Sequence, residues 1–325
     1  MSVGWVAGSV RSRAMTRRRL GREGARDLAA LPSLDAALFT LAGSAYGRGV
    51  SPGQTLAAAQ RGVVDTTLWN LRVLAGWVPR DGVAILRLLV GGLEIANLER
   101  HLARLGEGAT VRPLGGPPAR EEPYQLGGLA TAWPRLATTS SPGEVRAVLA
   151  ASPWGDPGGE SPREIGLAMR LSLADRVMAA VPAAAGWAAG AAALLVAREV
   201  LLAGLALPAA AAVSAARVLG HRAVATTTLA DLTAALPSAT RWALAGVGEP
   251  TEIWRAETRW WAHVDHEAGL RSRAGDAGPE ALVAAVGMLA ADAWRVRAAL
   301  EIAARGGVEG AAYDVIGAEA FDAVA

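Results

Sequence analysis

One stretch of this chain recurs within it, and the recurrence constrains the fold more than any other feature. Ser33-Leu34-Asp35-Ala36-Ala37-Leu38-Phe39-Thr40-Leu41-Ala42-Gly43-Ser44-Ala45-Tyr46-Gly47 is echoed by Ser141-Pro142-Gly143-Glu144-Val145-Arg146-Ala147-Val148-Leu149-Ala150-Ala151-Ser152-Pro153-Trp154-Gly155. Ser, Leu-Ala, Ser, an aromatic residue and Gly stand at the same offsets in both. A fainter third start lies at Thr228-Leu229-Ala230-Asp231, with Leu236-Pro237 following. A similar distance beyond each start comes an apolar, helix-like run that carries an acid: Glu94, Glu199 and Asp292. A period of roughly a hundred residues is longer than a solenoid repeat. The pattern therefore implies a domain-sized unit used three times, over 1–110, 111–222 and 223–325, as a scaffold of pseudo-threefold shape.

Composition sets the class of that unit. Apolar residues make up 52% of the chain, ample for a core. Much of that share is Ala, which favours helix and adds little hydrophobic drive per residue. Only 2 Phe and 3 Tyr are present, so strand formers are scarce and an all-α fold is expected. The chain has 0 Cys, which excludes disulfides, thiolate metal sites and thiol nucleophiles. All 32 basic residues are Arg, which excludes every Lys-based mechanism, the phosphate-binding Lys of a P-loop included.

Net charge is only +2, yet Arg11, Arg13, Arg17, Arg18, Arg19, Arg22 and Arg26 crowd the first helix-like stretch. Such a cluster meets nucleic acid or anionic lipid, or is simply the solvated face of a helix. Few aromatics accompany it, which weakens a nucleic-acid role. No apolar core follows the basic start, so no secretory leader is expected. Residues 177–197 and 200–216 carry no charge, and the first run is long enough to be a membrane-span candidate. Its Ala-Gly composition, with Pro182 inside and Arg198-Glu199 following, favours a buried helix over a lipid-embedded hairpin.

Periodicity and capping residues place the elements. An Arg-rich helix is expected over 5–30, a Ser33-capped helix up to Gly43, and helices over 54–78 and 83–105. A Gly/Pro-rich linker follows over 106–128. Ser141-Pro142-Gly143-Glu144 has the residues of a capping box with Pro at the first helical position. Further helices are expected over 163–180, 183–204, 208–219, 229–245, 251–272 and 279–305. In the last, Leu282, Val286, Leu289, Val296, Leu300 and Ala303 form a stripe, with Asp292 and Arg295 at its edge. In 83–105, Ile95, Leu98, Leu102 and Leu105 form the stripe, with Glu94 and Asn97 at its edge. An acid and a polar partner so placed either anchor neighbouring helix ends and loops or form a plain solvated pair.

These residues also carry a resemblance. Leu93-Glu94-Ile95-Ala96-Asn97-Leu98 is similar to the acid-x-x-Asn-hydrophobic element of the C-subunit family of V-type (A/V-type) ATPases, whose eukaryotic relative is the d-subunit. Ser33 to Gly47 resembles that family's leader into Leu-x-x-Thr-x-Tyr-Gly, and 6–13 its N-terminal Ala- and Arg-containing helix. Val111-Arg112-Pro113-Leu114-Gly115-Gly116 and Gly127-Gly128-Leu129 are similar to its Gly-Gly turn, and 292–307 to its C-terminal acidic helix. The departures are Glu94 where Asp is usual, Leu202 in place of a polar partner for Glu199, and Arg295 in the Asn place. The resemblance implies three similar helical domains around a pseudo-threefold axis, shaped like a funnel. It implies a bacterial, non-catalytic central-stalk adaptor of a rotary motor, coupling the shaft to the membrane proteolipid ring for ion transport. Its partners would be the shaft and the ring and, indirectly, the membrane surface, at the cytoplasmic face. No cofactor, metal, nucleic acid or small-molecule substrate is implied. Glu94, Asn97, Glu199, Asp292 and Arg295 are its structural motif positions.

Catalytic patterns are thin beside this. His263, His266 and Glu267 share a helix face at metal-ligand spacing, but no distant His completes the set, and the segment reads equally as a solvated face. Trp254, Trp260 and Trp261 beside it read as core anchors or an interface patch. No Gly-Lys-Ser/Thr loop, Gly-x-Ser-x-Gly elbow or acid–base pair is present. Two other classes are weighed against the adaptor: an integral membrane protein with a hairpin at 177–216, and a helical metal-dependent enzyme centred on His263 and His266.

Overall fold

A computed structural model describes residues 3–107, 122–274 and 277–307. Among the described residues every regular element is helical and none is a strand. In chain order they are α1 (Val3–Thr16), α2 (Gly21–Ala29), α3 (Leu34–Ala42), α4 (Leu56–Ala75), α5 (Arg80–Leu89), α6 (Gly91–Glu107), α7 (Trp133–Leu136) and α8 (Pro142–Ala150). There follow α9 (Pro162–Ala180), α10 (Ala185–Val196), α11 (Ala209–Leu219), α12 (His221–Val224), α13 (Leu229–Ala235), α14 (Ile253–Ala274) and α15 (Pro279–Ala304). A wide π segment, Ala197–Leu202, continues α10. The all-α expectation holds.

Side-chain caps start five of the helices, α3, α4, α8, α9 and α13. Ser33, Thr55, Ser141, Ser161 and Thr228 each accept an amide N–H of the first turn through the side-chain oxygen. That satisfies one of the four donors a helix start leaves orphaned. The expected box at Ser141 does not close: Glu144 reaches one residue further back and accepts from Ser140 N at 2.8 Å. A complete box lies at Ser161 and Glu164.

Four expected helices are broken. The stretch 5–30 is two helices, α1 and α2, parted at 17–20. Gly21 begins α2 with φ +76°, a left-handed conformation open to Gly at no steric cost. The stretch 83–105 falls within α5 and α6, which meet at Val90. A Cβ on Gly91 would come within 2.7 Å of Leu173 Cδ1, so the glycine lets the chain approach closely there. The stretch 229–245 ends as α-helix before Pro237, which disfavours helix in the residue ahead of it, and resumes as a 3-10 run over Ser238–Leu244. The stretch 183–204 widens into the π segment at Ala197.

The chain divides into two compact units, Met1–Leu86 with Arg255–Ala325, and Arg87–Trp254. In the first, α15 is the central element and packs on α1, α2, α3 and α4. Leu28, Leu38, Leu41, Val63, Val296 and Leu300 are sealed in one cluster there. The expected stripe of α15 is buried, and so is most of its remaining surface, because Ala284, Ala285, Gly287, Ala291 and Ala293 let neighbours close around it. Trp261 stacks on Trp294 at 6.0 Å and meets Trp260 edge-on at 4.8 Å. Of the expected trio, Trp260 and Trp261 are half-buried and Trp254 is exposed, so none is sealed in a core.

In the second unit, α9 packs on α6, α10 and α11, and α10 packs on Ser238–Leu244. Ile95, Leu98, Leu102, Leu126, Leu136, Leu149 and Ile165 are fully buried. Among the described residues one stretch, Pro182–Leu202, is long and apolar enough to cross a membrane, and 44% of its most apolar window is buried in protein. Trp187, Ala188, Ala189, Ala192, Ala193 and Val196 supply that buried face.

Candidate functional site: the buried acids

Helix α6 presents a polar seam at positions i, i+3 and i+7. Glu94 is 1% exposed. Its Oε2 accepts Thr131 N at 2.7 Å and its Oε1 accepts Ala132 N at 2.6 Å. The indole Nε1 of Trp154 donates to Oε1 at 3.4 Å. Asn97, equally buried, clamps one residue from both sides: Nδ2 donates to Tyr124 O at 2.9 Å and Oδ1 accepts Tyr124 N at 2.6 Å. His101 Nε2 lies 2.9 Å from Thr139 Oγ1 and 3.1 Å from Thr139 O. Since Thr139 Oγ1 spends its own proton on Leu136 O, Nε2 must carry the donated hydrogen. Three side chains of one helix therefore bind the irregular chain from 124 to 139, whose backbone groups have no ladder to join. Burial lowers the His101 pKa, and Arg104 beside the ring adds to the effect.

Helix α15 repeats the first part of this arrangement. Asp292, 0% exposed, accepts Leu20 N at 3.0 Å through Oδ2 and Gly21 N at 2.7 Å through Oδ1. Tyr46 Oη donates to Oδ2 at 2.8 Å. The carboxylate thus caps α2 from another helix, which explains the break at 17–20. Burial, and then the adjacent carboxylate, push the Tyr46 phenol far above its usual range. Arg295 stands in the place of Asn97. Its Nη2 donates to Asp265 Oδ2 on α14 at 2.6 Å, and Arg22 Nε lies 3.7 Å from the same oxygen.

The two aromatic donors sit in matching local settings. Ser44 Oγ donates to Leu41 O at 2.7 Å and accepts Tyr46 N at 3.1 Å. Ser152 Oγ donates to Leu149 O at 2.7 Å and accepts Trp154 N at 3.2 Å. Gly47 N then bonds to Ser44 O, and Gly155 N to Ser152 O. The shared Ser-x-aromatic-Gly is thus a turn that aims the aromatic N–H or O–H at a buried carboxylate.

Glu199 is set differently. It lies on the π segment, and its Oε2 accepts Arg163 Nε at 3.2 Å and Nη2 at 2.9 Å. Arg163 also donates to Ala206 O at 3.1 Å. Among the described residues no backbone N–H pair is bound by this acid. The sequence also left His101 without a role, although it stands on the Glu94 face one turn beyond Asn97.

The chemistry available to these groups is structural. Glu94 and Asp292 each accept three donors from their own fold and are at most 1% exposed. Elsewhere, Glu267 is held by His263 Nε2 at 3.3 Å and Arg271 Nη1 at 2.8 Å, while His266 is exposed. The His263 contact is the main cause of a Glu267 pKa near 2, and Arg271 adds to it. Among the described residues no three His, Cys, Asp or Glu side chains gather as a metal would require. The motif at 111–116 lies outside the described residues. Neither a protein-family model nor a curated protein matches this chain.

Proposed function

We propose that this chain is a non-catalytic adaptor built from three related helical units around a pseudo-threefold axis, of the kind that the C-subunit family provides in the central stalk of a rotary V-type ATPase. The units follow the divisions 1–110, 111–222 and 223–325. The carrying observation is the paired hydrogen-bond pattern. The acid of the first unit, Glu94, takes two amides and an aromatic donor from the second. The acid of the third, Asp292, takes the same set from the first. The first and third units thus each hold the start of another, while Glu199 of the second pairs with Arg163 inside its own unit. Such interlocking suits a part that transmits torque, because load passes through saturated buried contacts rather than flexible linkers.

On this reading the chain works at the cytoplasmic face of the membrane as a peripheral component, between a shaft and a proteolipid ring, with no cofactor. The test is affinity purification of the tagged full chain from its native cells in mild detergent. The expected result is co-purification of a nucleotide-hydrolysing hexamer, a shaft protein and a proteolipid. Recovery of the chain alone, or with a different complex, refutes the reading. One observation favours an integral membrane alternative, namely the apolar Pro182–Leu202 stretch. Washing membranes with alkaline carbonate separates the two, since it releases a peripheral protein and leaves a spanning one in place.

A further inference from the structure

A cavity of about 570 Å³ in the compact unit Met1–Leu86 with Arg255–Ala325 is lined by Arg13, Arg17, Arg19, Arg273, Ser272 and Met288, together with Thr16 and Gly21. Among the described residues no carboxylate lines it. Arg17 and Arg273 are exposed. Arg19 is half-buried, and its Nη1 is fully buried with no hydrogen-bond partner among the described residues. A buried guanidinium nitrogen without a partner costs free energy, so its presence here needs a reason.

The neighbouring helix ends do not supply one. Helix α1 ends at Thr16 and α14 at Ala274, and each C-terminus contributes roughly half a negative charge. Against the guanidinium groups of Arg17, Arg19 and Arg273, the two helix ends and the Asp292 carboxylate leave about one positive charge uncompensated around one concavity, and Arg13 adds a fourth guanidinium to its wall. Asp292 lies beneath Gly21 but is already filled by Leu20, Gly21 and Tyr46. Arginine offers planar forks of N–H donors that match phosphate oxygens two at a time. The Ser272 hydroxyl adds a further donor.

We infer that this cavity is a binding site for a phosphate-bearing anion with more than one negative charge. A diphosphate fits the volume and the number of forks. The inference stands apart from the rotary reading, since it uses none of the contacts that carry it.

Isothermal titration calorimetry of the full chain with inorganic pyrophosphate tests it. The double variant Arg17→Ala/Arg273→Ala removes two exposed side chains and leaves Asp292 and the core untouched. Losing two charge-assisted contacts weakens binding by tenfold or more. A matched variant on another surface, Arg72→Ala/Arg80→Ala, removes the same charge and leaves binding within about threefold. Circular dichroism and melting of all three proteins should coincide.

Absence of pyrophosphate binding in the wild type at millimolar concentration overturns the inference. So does equal weakening in both double variants, which would reflect bulk charge alone. Vesicles of phosphatidylcholine with added phosphatidic acid distinguish the source of the phosphate. Co-sedimentation that pyrophosphate displaces assigns the site to a lipid headgroup. Pyrophosphate binding without co-sedimentation assigns it to a soluble ligand, and either result supports the site. Co-sedimentation that persists at saturating pyrophosphate and in Arg17→Ala/Arg273→Ala counts against it.

Discussion

Replacing Glu94 by Ala should destabilise the compact unit Arg87–Trp254 far more than any effect on helix propensity could offset. The change leaves Thr131 N and Ala132 N without their acceptor, and Trp154 Nε1 without its own. Each buried donor so orphaned costs about 1–3 kcal/mol. The indole bond, at 3.4 Å, is the weakest of the three. A total of about 3–6 kcal/mol follows, against a gain of a few tenths from the better helix former. For a unit of this size that lowers the melting temperature by roughly 6 °C or more. Glu94→Gln separates charge from shape. Its amide oxygen still accepts one N–H, but its NH2 faces the other donor, so its cost falls between wild type and Ala. Urea denaturation followed by circular dichroism measures both variants. Amide exchange at Thr131 and Ala132 should speed up first. Were Glu94→Ala to unfold within about 0.5 kcal/mol of the wild type, as ordinary surface substitutions do, the reading of this acid as a structural lock would fail.

Three smaller effects follow from the same geometry. Tyr46→Phe removes one of the three donors to Asp292 while the two amides remain, so it should cost about 1–2 kcal/mol by chemical denaturation. His101 has a lowered pKa in the folded state, so the fold takes up its proton less readily than the unfolded chain does. Its contribution is present above about pH 6.5 and is lost as pH falls through the folded value, and His101→Gln should flatten the melting temperature between pH 7.5 and 5. Arg163→Ala breaks a pair whose side chains are 38% and 19% exposed, so it should change stability by no more than about 1 kcal/mol in the same denaturation assay.

What the sequence could tell and what it could not divide along the range of the interactions. Helix starts at Ser33, Ser141 and Thr228 were legible because a cap is settled within four residues. The paired acids Glu94 and Asp292 stood out by their place on an apolar stripe, but their partners did not. Leu20, Gly21, Thr131 and Ala132 are bound through backbone amides, which leave no side-chain signature. For the same reason Arg17-Arg18-Arg19 read as continuing a helix, when a carboxylate from α15 ends it there. Gly91 and Pro237 were visible breakers that the apolar periodicity outweighed. His101 was a lone histidine until the fold brought Thr139 against it. The Glu94–Asn97 spacing pointed to an anchored loop, whereas the same spacing at Asp292–Arg295 conceals an ion pair to Asp265. The third acid, Glu199, shared only its position.

The difference in residue type between the two locks has a physical reading. One lock joins the shorter acid to the donor that reaches further, Asp292 with the phenol of Tyr46. The other joins the longer acid to the shorter-reaching indole nitrogen, Glu94 with Trp154. A tyrosine oxygen sits at the far tip of its ring, while an indole nitrogen lies part-way along its own. The methylene that distinguishes Glu from Asp offsets that difference, so the combined reach of the two side chains is similar in both pairs. Exchanging one member alone should therefore misfit. Asp292→Glu forces a methylene into a site with 0% exposure, and Tyr46→Trp enlarges a ring that is 5% exposed. Each should cost about 1–3 kcal/mol by overpacking and loss of the bond. Combined, they recreate the pairing of the other lock, and the double variant should be more stable than the sum of the two by about 1 kcal/mol. A double-mutant cycle from urea midpoints measures that coupling. Strict additivity, within about 0.5 kcal/mol, would mean the two side chains are fitted independently and that the matched lengths carry no meaning.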